Sequence, residues 1–143
     1  MANLDDIRAG IAANIKAQLP DVQCTGYLLE NAYPPAFEVE LGSEGIVYDL
    51  AMSRGLDEYF FTIRGFAPSG TDKAQQMRLD AWLNSTGAES VKAALEADRT
   101  LGGSVGDSHV TRVSQVRAFS PVASPTTTFF GAEWTLRVLA AGD

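Results

Sequence analysis

The sequence has little of what most enzyme and metal sites are built from: its 143 residues include one cysteine, Cys24, and one histidine, His109. A single cysteine excludes an internal disulfide, and amid apolar neighbours it reads as a small buried hydrophobe. One cysteine and one histidine fall short of the ligands that a structural zinc site takes, so neither a metal nor a cofactor is expected. Bases are also scarce, with 11 lysines and arginines against 18 acids and a net charge of −7. A duplex-binding module neutralises phosphates with clustered lysine and arginine, so tight nucleic-acid binding is not expected. Long apolar runs are missing as well. Asp5, Asp6, Arg8, Asn14 and Lys16 interrupt the segment from Met1 to Leu19, which argues against a signal-peptide core or membrane span there. The expectation is a chain made and used in the cytoplasm.

What is present suits one folded domain spanning residues 1–143. Hydrophobic residues make up 45% and charged residues 20%, and a chain of this length can bury a sizeable core. The charge is uneven. Residues 1–58 hold ten acids and three bases, whereas residues 59–143 hold eight of each, so the whole negative excess lies in the first part.

Asn3 is a good N-cap, Asp5 and Asp6 suit the positive end of a helix dipole, and Leu4, Ile7, Ile11, Ile15 and Leu19 recur at helical spacing. This predicts an amphipathic helix over 4–18, stopped by Pro20. A short strand is expected between Val22 and Leu29, then a loop at Tyr33-Pro34-Pro35. Phe37, Val39 and Leu41 alternate with Glu38 and Glu40, and a second apolar run extends from Ile46 to Met52. With Gly42-Ser43-Glu44-Gly45 between them, the two runs predict a β-hairpin with an acidic exposed face.

Glu58 to Phe66 reads as a strand with Tyr59, Phe61 and Ile63 on one side and Phe60, Thr62 and Arg64 on the other. Asp72 with Gln75, and Thr86 with Glu89, suggest capping boxes for two helices, the first to about Leu83 and the second to about Asp98. Strands are then expected over Val110 to Phe119 and from Phe130 to Leu139, separated by a proline-containing loop at 120–128. Phe130, Ala132, Trp134, Leu136 and Val138 form the apolar face of the last one. The two later helices are grouped instead of alternating with strands. That order predicts an α+β fold, an antiparallel or mixed sheet with the N-terminal helix and a central helix pair packed on it.

Catalytic motifs find little support. No nucleophile elbow frames a serine, and Ser108 and His109, adjacent on a strand, would point to opposite faces. Gly102-Gly103-Ser104-Val105-Gly106 lacks the Gly-Lys-Ser/Thr ending of a phosphate-binding loop and reads as a helix end followed by a tight turn. The pairs Asp5-Asp6, Asp57-Glu58 and Glu38 with Glu40 are explained by helix dipoles and solvated strand faces. No enzyme activity is expected.

The wording Trp82-Leu83-Asn84-Ser85-Thr86-Gly87, Ser90-Val91-Lys92-Ala93-Ala94-Leu95 and Asp98-Arg99-Thr100-Leu101-Gly102-Gly103-Ser104-Val105 resembles the central block of phage tail terminator proteins. The likeness continues as a pattern through Val110 to Val116 and Gly131-Ala132-Glu133-Trp134, covering about Asp57 to Ala140. It implies a virion protein of the phage tail and neck, assembled in the host cytoplasm as a homo-hexameric ring. Such a ring caps the tail tube, ends tube polymerisation and joins the head connector, its partners being the major tail tube protein and a head-completion protein. DNA would pass its lumen without specific binding. On this expectation Glu38, Glu40, Glu44 and Asp49 of the acidic hairpin line the lumen or face the tube, because like charge keeps phosphate from sticking. Arg64, Arg112, Arg117 and Arg137, set among aromatic and apolar residues, would join subunits. The alternatives are another neck protein, such as a stopper, or a small-ligand module with Trp82 and Trp134 lining a pocket.

Overall fold

A computed structural model describes residues 3–28, 35–48, 56–67, 72–103, 105–119 and 129–141. They form an α+β fold in which helices α1 (Leu4–Gln18), α2 (Asp72–Leu83) and α3 (Val91–Leu95) accompany five strands, β1 (Gln23–Cys24), β2 (Ala36–Val47), β3 (Leu56–Phe66), β4 (Asp107–Phe119) and β5 (Phe129–Ala141). The strands make one mixed sheet in the order β1-β2-β3-β5-β4, parallel only between β1 and β2.

Helix α1 starts as its sequence predicts. The Asn3 side chain accepts a hydrogen bond from the Asp5 amide at 2.8 Å, satisfying one of the free amides of the first turn. Ile7, Ile11 and Ile15 are fully buried, each contributing about 1.5–3 kcal/mol of burial, while Leu4 remains 37% exposed at the open end. A second stripe of the same helix is polar and grips the α3 region. Asn14 Nδ2 donates to the carbonyls of Leu95 and Asp98, and Gln18 Nε2 to those of Gly87 and Ser90. Gly10 lets the helix come this close, since a Cβ there would lie 2.6 Å from the Leu101 carbonyl oxygen.

The core lies between α1, α2, α3 and one face of the sheet. That face presents Phe37 and Val39 from β2, Tyr59, Phe61 and Ile63 from β3, and Ala132, Trp134, Leu136 and Val138 from β5, all buried as the alternation predicts. The Trp82 ring stands 4.7 Å from that of Phe37, and Trp134 stands 6.0 Å from Phe37, so both tryptophans are core.

Three sequence expectations are corrected. The strand expected between Val22 and Leu29 shrinks to Gln23–Cys24, because Gly26 adopts φ +86° against the Arg8 carbonyl and turns the chain. Arg8 then holds the following residues beside β2, donating to the carbonyls of Gly26 and Val39 with its guanidinium 4.9 Å from the Tyr27 ring.

The acidic hairpin does not form. Residues 36–47 are a single strand along β3, with Leu41 opposite Phe61 and Ile46 opposite Tyr59. Residues 42–45 are therefore a bulge facing one residue of β3, Phe60, instead of a reversal. Residues 49–52 of the expected second arm, and the loops at 30–34 and 120–128, lie outside the described residues.

The second central helix begins at Val91, capped by Ser90, whose Oγ accepts from the Ala93 amide at 3.1 Å. Thr86 does not start it, and Glu89 instead pairs with Arg78 at 3.1 Å.

Candidate functional site

The sheet face turned away from the helices carries most of the charged residues singled out in the sequence, arranged in rows fixed by the register. Ala36 and Phe66 come first, packed with Phe129 in a small apolar cluster. Next lie Glu38, Arg64, Glu133 and Ser114, then Glu40, Thr62, Thr135 and Arg112, then Phe60, Arg137 and His109. Alternation along each strand places these side chains on one face.

Arg64 is the centre of an ionic cluster. Its Nε donates to Glu133 Oε2 at 2.6 Å, and its terminal nitrogens reach Glu38 Oε2 and Glu40 Oε1, both at 3.4 Å. Partial burial by itself would lower its pKa, but the hydrogen bonds and charges of Glu40 and Glu133 hold it above the ordinary guanidinium value. Arg137 is bonded to Glu58 across β3 and β5. Both arginines are thus committed within the chain. Arg112 differs: it is exposed and has no ion pair among the described residues. Arg117 has its backbone opposite Gly131, and its side chain lies outside the described residues.

The four acids separate in the same way. Glu38 is fully buried, and Glu40, 33% exposed, pairs with Arg64. Glu44, on the bulge, is exposed without an ion pair among the described residues, and Asp49 lies outside them.

Two recesses lie beside Arg112. One, of about 150 Å³, lies on the charged face, with Glu44 of the bulge, Phe60, Thr62, Thr135 and Glu133 among its lining. Gly42 allows the bulge to fold tightly over it, since a Cβ there would come within 2.9 Å of Thr62 Oγ1. The other, of about 140 Å³, opens at the margin between the helix pair and β4, and Leu83, Val110, Val113 and Trp134 give it an apolar floor with Lys92 and Arg112 beside it. The sequence pattern did not single out Lys92 or Val113. The available signal was Val113 itself, an apolar residue 38% exposed in an otherwise polar stretch of an edge strand.

The remaining reactive side chains have structural surroundings. Ser108 is buried and its Oγ donates to the Arg99 carbonyl at 2.9 Å, while His109 lies opposite Arg137 on the other face. Cys24 is 5% exposed, and burial pushes its thiol up to about 11, against smaller lowering effects of the Gly26 backbone and Lys16. At that value it is protonated and unreactive near neutral pH. Among the described residues no group of three or more His, Cys, Asp and Glu side chains could hold a metal ion.

The glycine-rich segment is a turn. Asp98 accepts hydrogen bonds from the Thr100 amide, the Thr100 hydroxyl and the Gly102 amide. Leu101, Gly102 and Gly103 all adopt positive φ, at 51°, 76° and 90°. Arg99 closes the segment with two bonds to Asp107, at 2.7 and 2.9 Å. Among the described residues the charged sheet face offers Arg112 beside an apolar hollow, Glu44 on the bulge, both without an ion pair, and hydroxyl groups between them. No protein-family model matches the chain, and no curated protein matches it.

Proposed function

We propose that this protein is a non-catalytic ring subunit of a phage tail, a tail terminator that caps the tube, ends its polymerisation and presents the surface to which the head connector attaches. The observation that carries the proposal is the block from Trp82 to Val105, whose wording resembles that of tail terminator proteins. In this chain the block is one connected unit. Trp82 packs on Phe37, Ser90 caps α3, and Asp98 and Arg99 fix the turn into β4. The α+β fold agrees with the fold that the resemblance implies, and a sheet face carrying arginine, aromatic and hydroxyl groups suits contacts between subunits. A small-ligand pocket built around both tryptophans has less support, because Trp82 is fully buried and Trp134 only 2% exposed.

The test is genetic. Without the protein, tails of uncontrolled length that do not join heads are expected under the electron microscope. Tails of normal length, joined to heads, would sink the proposal.

A further inference from the structure

We propose that the polar recess beside Arg112 binds a small zwitterion of the α-amino-acid class, with Arg112 taking its carboxylate and Glu44 its ammonium group. The inference goes beyond the ring reading and does not depend on it. The recess measures about 150 Å³, and Arg112, Glu44, Glu133, Thr62, Thr135 and Phe60 are among its lining. A cavity of that volume takes a molecule of about six heavy atoms, which is the size of alanine or serine.

The fold builds the recess from both sides of the sheet. Thr62 of β3 and Thr135 of β5 share one row with Arg112 of the edge strand β4, so the two threonines lie between Arg112 and the bulge of β2. On the bulge side Gly42 lies so near Thr62 that a Cβ would come within 2.9 Å of its Oγ1, which holds the bulge, and Glu44 with it, against the recess. A bulge of this kind re-aims a side chain that a regular strand would direct elsewhere.

Charge then selects the occupant. Arg112 and Glu44 line one recess without meeting, and neither has an ion pair among the described residues. The backbones of β2 and β4 stand three strand spacings apart, about 14 Å, so the two side chains come from opposite sides with a gap between them. A plain anion is a poor fit for that gap. Glu133, bonded to Arg64 at 2.6 Å, also lines the recess, and Glu38 and Glu40 reach the same arginine, so carboxylates outnumber cations around it. A plain cation would meet Arg112. A molecule carrying both groups satisfies both ends: a guanidinium takes a carboxylate through two parallel hydrogen bonds, and a carboxylate accepts from an ammonium. The hydroxyls of Thr62, Ser114 and Thr135 add partners for the ligand's remaining polar atoms.

The test is a titration of the isotope-labelled full chain with L-alanine, followed through its backbone amide chemical shifts. Saturable shifts are expected at residues 42–44, 112–114 and 133–135, with a Kd on the order of 1 mM for a ligand of so few atoms. Arg112→Gln and Glu44→Gln, both at exposed positions, should keep the wild-type circular dichroism, and each should weaken the binding about tenfold or more. Acetate and methylammonium, added separately at the same concentrations, should give no saturable shift. Acetate that saturates as alanine does would make the recess a plain anion site and overturn the proposal. Alanine binding unchanged in both variants would overturn it too, as would wild-type shifts still linear at about 50 mM alanine. None of these results bears on the tail-length experiment, so the ring reading stands or falls separately.

Discussion

At Gly65 the sheet and the aromatic core meet with no space for a side chain. A Cβ there would lie 2.5 Å from Phe37 Cε1 and 3.0 Å from Trp134 Cζ3, and neither ring can yield because both are buried. Gly65→Ala is therefore an overpacking substitution, expected to cost about 1–3 kcal/mol. It should lower the urea midpoint with little change in the slope of the transition, since the unfolded chain exposes nearly the same surface. A midpoint equal to that of wild type would mean that Phe37 and Trp134 are less closely packed than they stand here. The alternation along β3 identified which side chains face the core. It could not reveal this requirement, because the two rings come from β2 and β5, and which strands flank β3 is settled by pairing. The arginines show the same limit. Pattern placed Arg64 on the side of its strand opposite Tyr59, Phe61 and Ile63, and Arg137 opposite the apolar face of the last strand, but only the register brings Glu38, Glu40 and Glu133 to Arg64 and leaves Arg112 without an ion pair among the described residues.

Among the elements, the connection from α3 to β4 depends most on ionised carboxylates. Glu96 accepts from the Val110 amide and pairs with Lys92, and Asp98 and Asp107 hold the turn through Thr100, Gly102 and Arg99. All three titrate below their ordinary values. For Glu96 burial pulls upward, but Lys92 and the Val110 amide outweigh it; for Asp98 the Thr100 hydroxyl leads, and for Asp107 the Arg99 guanidinium. A lowered folded-state pKa gives stability that is fully present above the unfolded value, about 4, and is lost as pH falls through the lowered value. Stability should thus hold from neutral pH to about 4.5 and then drop. Asp98→Asn should be less stable than wild type at neutral pH and should lose less on acidification. Urea midpoints across that range test this, and an acid limb equally steep in the variant would rule out Asp98 as a contributor. Element types were largely legible from spacing: α1, α2, β3 and β5 stand where their apolar periods put them. The hairpin expected at 37–52 failed because a glycine-flanked four-residue stretch encodes a turn and a bulge equally well. The choice was made by β3, which pairs with both halves of β2. Likewise Thr86 and Ser90 are both competent caps, and the helix took the one whose hydroxyl also reaches the Asn84 carbonyl, at 2.5 Å.

For the whole molecule, the decisive property is how its few bases are spent. Among the described residues Arg64, Arg78, Lys92, Arg99 and Arg137 each face a carboxylate of the same chain, so part of the charge that could hold phosphate is neutralised in place. The net charge is −7 and the isoelectric point about 4.6. A protein that grips duplex DNA releases counterions at several phosphates, and its affinity rises steeply as salt is lowered. This chain lacks the clustered cations for that response, and its acidic excess, concentrated in residues 1–58, repels the backbone. On the ring reading proposed above, such repulsion would keep a DNA passage free of sticking points where residues of the first part line it. Purified protein mixed with duplex DNA at about 20 mM salt should therefore cause no mobility shift, even where binding driven by phosphate contacts is strongest. A shift that weakens as salt is added would reveal a continuous cationic track. Arg112 would be its first member to test by substitution, because it is exposed without an ion pair among the described residues.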